Sequence, residues 1–136
     1  MKVYNDIIQG SPEWHEIRAG KPTASCFNKI LTGGGNLSAQ EEIYANTILA
    51  DIITGGGVVT WCGNYWTERG KELEPEAVAL YELYTDIQTE KVGFVTNHGV
   101  GCSPDRFIEK KGLIEIKCPA PHTHVEYLLD NKMPLK

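Results

Sequence analysis

The chain has 136 residues, 41% of them hydrophobic and 23% charged, with a formal net charge of −5. That length suffices for one domain with a modest core. No apolar run approaches the roughly 20 residues of a membrane span, and the start, MKVYNDIIQG, lacks the apolar centre of a secretory signal, so a cytoplasmic protein is expected. The acidic total does not mark a nucleic-acid binder, nor does it exclude one, because a total says nothing of local patches.

Ser11-Pro12-Glu13 opens the first predicted helix: a capping serine, a proline suited to the first turn, and an acid at the positive end of the dipole. Trp14, Ile17 and Arg18 follow, and Gly20 ends it. A second short helix follows Thr23 through ASCFNKIL, and TGGGN (32–36) reads as a loop. Ser38-Ala39-Gln40-Glu41 has the capping-box pattern, and a helix over 39–53 would bury Ile43, Ile48, Leu49 and Ile52. Glycines 55–57 stop it, and Trp61 to Trp66 is aromatic and turn-rich. From Thr67 to Tyr84 the spacing is helical again.

The period then changes from helical to alternating. Residues 90–96 predict a strand, His98-Gly99 a turn, and 100–102 a second strand continuing through 106–109. KKG (110–112) turns into a third strand, LIEIKC, and a last helix covers 123–131. Helices ahead of a small sheet make the class α/β or α+β. Cysteines at 26, 62, 102 and 118 and histidines at 15, 98, 122 and 124 lack zinc-ligand spacing. The thiols are expected to be reduced and mostly buried. Neither Gly20-Lys21 nor Gly70-Lys71 completes a phosphate loop, since His15 or Tyr65 stands where that motif needs its first glycine.

The stretch SPDRFIEKKGLIEIKCP (103–119) carries the chemistry. In a strand, Ile114, Ile116 and Cys118 point to one side and Leu113, Glu115 and Lys117 to the other. A hairpin brings Asp105 to the mouth of the polar face. Two converging carboxylates repel unless a cation sits between them. A hard divalent ion such as Mg²⁺ takes carboxylates and water and leaves places for phosphate oxygens. Lys117 would then hold a water or stabilise charge developing on phosphate. Spacing alone fits a second reading equally well, an exposed strand face with a weak ion pair.

Three stretches resemble the phage lambda exonuclease family, the YqaJ-like viral recombinases of the PD-(D/E)XK nuclease superfamily. They are QGSPEWHEIRAGKPTAS (9–25), ERGKELEPEA (68–77) with Gly70-x-x-x-Glu74, and GCSPDRFIEKKGLIEIKCP (101–119). The resemblance implies a single domain over 1–136 with a restriction-endonuclease-like core, a small mixed sheet flanked by helices. It implies a Mg²⁺- or Mn²⁺-dependent exonuclease acting 5′-to-3′ on duplex DNA ends in phage-type recombination, inside a bacterial host. Asp105, Glu115, Glu74 and the carbonyl of Ile116 would hold the metal, Lys117 would be the catalytic lysine, and Arg18, Ser25 and Ser103 would bind a 5′-phosphate. Relatives form rings around DNA, and a single-strand annealing protein is the expected partner.

The chain departs from the family pattern at Arg106, where many relatives have glycine, and near Val95, where some carry an acid. It stops at KMPLK, where relatives place a helix with a Gln-x-Gln motif, so the family's usual C-terminal segment is expected to be missing. Two rival readings follow: a structure-specific endonuclease of the same superfamily, and an inactive remnant that binds DNA or a partner.

Overall fold

The computed structural model describes residues 1–56, 65–109 and 112–132. The chain divides into two compact units, Met1–Thr60 with Lys91–Arg106, and Trp61–Glu90 with Phe107–Lys136. No helix among the described residues is long and apolar enough to cross a membrane.

The first unit is built on an antiparallel sheet of β1 (Lys2–Tyr4), β3 (Phe94–Asn97) and β4 (Val100–Cys102), in the order β1-β3-β4. Val3 lies opposite Val95, and Val95 opposite Cys102. His98 and Gly99 turn the β3–β4 hairpin as expected, both with positive φ (48° and 82°), as a two-residue turn matched to strand twist requires. Helix α1 (Pro12–Arg18) starts as read from the sequence, with the Ser11 hydroxyl accepting from the Trp14 N–H at 3.2 Å. The short helix expected after Thr23 is a 3-10 turn, Ala24–Lys29. Just ahead of it Thr23 forms a parallel bridge to Gly101, and the Gly101 N–H donates to the Pro22 carbonyl at 2.9 Å.

Helix α2 (Glu41–Thr54) begins two residues later than predicted. Ser38 does not cap it; its hydroxyl accepts from the Gln40 N–H in the turn before. The face turned inward also differs. Tyr44 is buried and Ile48 half-buried, whereas Ile43, Leu49 and Ile52 are exposed. Tyr44 prevails because its hydroxyl accepts the buried Thr23 N–H at 3.1 Å, a polar anchor that no aliphatic residue supplies. The core centres on Val92 and Phe94, both 0% exposed, with Val95 beside them.

In the second unit, α3 (Tyr65–Thr85) is the main helix and runs through Pro75. A second sheet has the order β2-β5-β6, with β2 Thr89–Lys91, β5 Arg106–Ile108 and β6 Gly112–Ile114. The Thr89 N–H and hydroxyl both donate to Glu82 Oε1, at 2.8 and 2.6 Å. Helix α4 (Pro121–Asp130) begins at a proline and ends at Asn131 in the left-handed conformation.

Two predicted strands are divided. The run 90–96 breaks into β2 and β3 because a Cβ on Gly93 would lie 2.0 Å from the Ile7 carbonyl oxygen, so another segment of backbone crosses there. The run from 100 to 109 breaks at Ser103-Pro104, where proline donates no ladder hydrogen bond. The small sheet therefore appears as two. The turn-rich stretch at 61–64, the Lys110-Lys111 turn and the chain end at 133–136 lie outside the described residues.

Candidate functional site

The predicted site residues fall into two groups. Arg18, Ser25, Ser103 and Asp105 belong to the first unit, and Glu74, Glu115, Ile116 and Lys117 to the second.

In the first unit, α1 delivers Arg18 to the end of β4. Its Nη1 donates to the Ser103 hydroxyl at 3.2 Å, and its guanidinium lies over the Trp14 ring at 4.0 Å and the Phe94 ring at 5.7 Å. Trp14 Nε1 donates to the same Ser103 oxygen at 2.9 Å and to the Gly93 carbonyl at 3.2 Å. Burial holds the Arg18 pKa below its ordinary value, partly offset by Cys26 and Tyr44. Among the described residues no carboxylate pairs with this guanidinium. A desolvated guanidinium over an aromatic ring, with a hydroxyl as its partner, has the chemistry to receive an anion.

Ser25 is exposed, and its hydroxyl lies 3.2 Å from that of Thr23. The Thr23–Gly101 bridge starts two chain segments from one point, and two residues along each of them stands a serine, Ser25 or Ser103. Asp105 follows the buried Pro104 and is half-buried.

In the second unit the predicted alternation holds. Leu113, Glu115 and Lys117 are exposed, and Ile114, Ile116 and Cys118 are half-buried, although regular strand structure stops at Ile114. Lys117 Nζ donates to Glu115 Oε1. The two side chains are 35% and 48% exposed, enough to meet a substrate directly and to keep the pair weak in energy. Lys117 also lines a cleft of about 220 Å³ against α4, together with His124, Tyr127 and Lys132. On α3, Glu68, Glu72 and Glu76 are exposed and Glu74 is half-buried, which separates Glu74 from a plain solvated helix face.

The donors expected from the sequence, Asp105, Glu115, Glu74 and the Ile116 carbonyl, all offer oxygen. Such a set suits Mg²⁺ or Mn²⁺ and excludes the sulfur-and-imidazole preference of structural zinc. Among the described residues no three His, Cys, Asp or Glu side chains are gathered as a metal centre. Cys26, Cys102 and Cys118 are half-buried rather than fully buried.

Two residues with a structural part in the site were not singled out for it. Trp14 supplies the ring beneath Arg18 and a donor to Ser103. Gln9 donates from Nε2 to the carbonyls of Val92 and Pro104. Nothing in the local pattern marks a bond that spans 95 positions.

The model of the YqaJ-like viral recombinase domain matches residues 13–136. The chain belongs to that family. This YqaJ-like chain is also similar to the crystal structure of an alkaline exonuclease, LHK-Exo, from Laribacter hongkongensis, with 35% identity and a TM-score of 0.73 over 90% of its own length. The structure of LHK-Exo in complex with dAMP is matched at the same identity with a TM-score of 0.74. The YqaJ-like chain spans 61% of the length of that exonuclease. No curated protein matches it.

Proposed function

We propose that this YqaJ-like chain is a divalent-metal-dependent deoxyribonuclease, a 5′-to-3′ exonuclease on duplex DNA ends that serves phage-type recombination in the bacterial cytoplasm. The observation that carries this reading is the guanidinium of Arg18, paired with Ser103 and with no carboxylate among the described residues, on the chain segment that leads into Asp105. The likeness to the 35% identical alkaline exonuclease supports it.

Asp105, Glu115, Glu74 and the Ile116 carbonyl would hold Mg²⁺ or Mn²⁺. When bound, such an ion supplies Lewis-acid polarisation of the phosphodiester and lowers the pKa of water. Lys117 donates a hydrogen bond to the attacking water from Nζ and orients it in line. The water oxygen bonds to phosphorus, the bond from phosphorus to the 3′-oxygen breaks, and that oxygen takes up a proton. The cut releases a 5′-mononucleotide and leaves a new 5′-phosphate on the strand. Arg18, Ser25 and Ser103 grip the terminal phosphate and fix which bond is presented.

The deciding experiment follows a 5′-phosphorylated linear duplex and a closed circle with Mg²⁺, Mn²⁺ or EDTA, for the natural chain and for Lys117→Ala. Metal-dependent shortening of the linear DNA alone, lost in Lys117→Ala, is expected. Cutting of the closed circle would instead identify an endonuclease. DNA binding by a folded protein without cleavage in any metal would identify a binding remnant.

A further inference from the structure

Two amino-terminal side chains tie the same pair of chain segments together at neighbouring positions. Trp14 Nε1 bridges the Gly93 carbonyl and the Ser103 hydroxyl, at 3.2 and 2.9 Å. Gln9 Nε2 bridges the Val92 and Pro104 carbonyls, both at 3.0 Å. Each rung is one nitrogen shared by two acceptors, and the rungs join 92–93 to 103–104. Both acceptors of Gln9 are carbonyl oxygens, so its NH₂ must face them and each amide hydrogen has its own target.

The Pro104 carbonyl belongs to the peptide unit that carries the Asp105 N–H. The pyrrolidine ring fixes φ of Pro104, and the hydrogen bond from Gln9 restrains its remaining torsion, ψ. The anchors are firm, since Val92 is fully buried and Pro104 buried. We infer that Gln9 is a positioning residue for Asp105, setting the direction in which the acid leaves the chain relative to the Ser103 hydroxyl one rung away. Trp14 aligns the phosphate pocket, and Gln9 aligns the acid. The inference rests on the reading of Asp105 as a metal ligand.

The test uses Gln9→Met, similar in length but without donors, and Gln9→Lys, whose ammonium can reach both carbonyls. Asp105→Asn serves as the reference. Cleavage of the 5′-phosphorylated duplex is measured at a temperature where all variants are folded, and Mn²⁺ binding is followed separately by calorimetry. In Gln9→Met, kcat and Mn²⁺ affinity should each fall about tenfold, the lower end of what partners of metal ligands contribute. KM for DNA and the preference for a 5′-phosphate should hold, and Gln9→Lys should recover most of the loss. Gln9→Met with natural kcat and Mn²⁺ affinity, beside an inactive Asp105→Asn, would overturn the inference alone. Equal losses in Gln9→Met and Gln9→Lys with unchanged Mn²⁺ affinity would also overturn it, by showing a packing role. An active Asp105→Asn, or a natural chain that neither binds Mn²⁺ nor cleaves, would remove the nuclease reading of Asp105 and the inference with it.

Discussion

In the first unit Arg18, Ser103 and Trp14 meet above a core whose centre, Phe94, is fully buried. In the second, Glu115 and Lys117 meet at the surface, and among that unit's described residues only Val78, 8% exposed, is buried. The first arrangement is held from several directions by bonds between residues far apart in sequence. The second is a pair two positions apart, whose geometry comes from a short extended segment. Recognition of a strand end tolerates little misplacement of donors, because a guanidinium fork must match phosphate oxygens. A lysine in the proposed role of orienting water keeps its reach on a flexible stem.

The contrast breaks most sharply if the core is emptied. Phe94→Ala should destabilise the first unit by about 3–5 kcal/mol, read as a lower melting temperature and urea midpoint. Next in size, Lys117→Ala should reduce cleavage by about 100-fold or more, on the scale of losing one well-placed catalytic donor. Its melting temperature should barely move, because an ion pair this exposed contributes only about 0–1 kcal/mol. A large loss of stability in Lys117→Ala would erase the distinction between the units.

Arg18→Lys sharpens the comparison on the other side. It keeps the charge but loses the fork and the guanidinium contact over the Trp14 ring. The ratio of cleavage at 5′-phosphate and 5′-hydroxyl ends should fall about tenfold, the effect of one charged hydrogen bond, with the fold intact. The smallest effect belongs to Glu13. Its own backbone N–H and the Ser11 hydroxyl hold its carboxyl below the usual range, against a small opposing contribution from burial. A depressed carboxylate stabilises the folded chain above the unfolded pKa, and that stability is lost as pH falls through the folded value. Glu13→Gln should therefore slightly lower the neutral plateau of a melting-temperature profile and leave its low-pH end unchanged, so that the acid limb flattens.

Local chemistry made several features legible in the sequence. The Ser11-Pro12 helix start and the His98-Gly99 turn depend on neighbouring residues alone, and both stand as read. The alternation from Leu113 to Lys117 holds because period two reports which side faces out even after regular hydrogen bonding stops. The inward face of α2 was misread because Tyr44 is selected by a distant acceptor need, the Thr23 N–H, and not by hydropathy. Gly93 ends a strand because Ile7 passes against it, and no window around residue 93 contains that fact. In the site, Arg18 and Ser103 were named as partners of a phosphate. Their mutual bond, and the rungs from Trp14 and Gln9, cross 79 to 95 positions and belong to the folded chain alone.

The His98-Gly99 hairpin tip has a practical use. Residues 97–100 are exposed, and both central residues already sit in the left-handed region that asparagine and glycine favour. His98→Asn should be accepted without strain. The tip closes β3 onto β4, the strand that leads to Ser103, so a fluorophore attached there would ride on the framework of the proposed phosphate pocket without entering it. It would give an optical handle on the seating of a DNA end in single-molecule work.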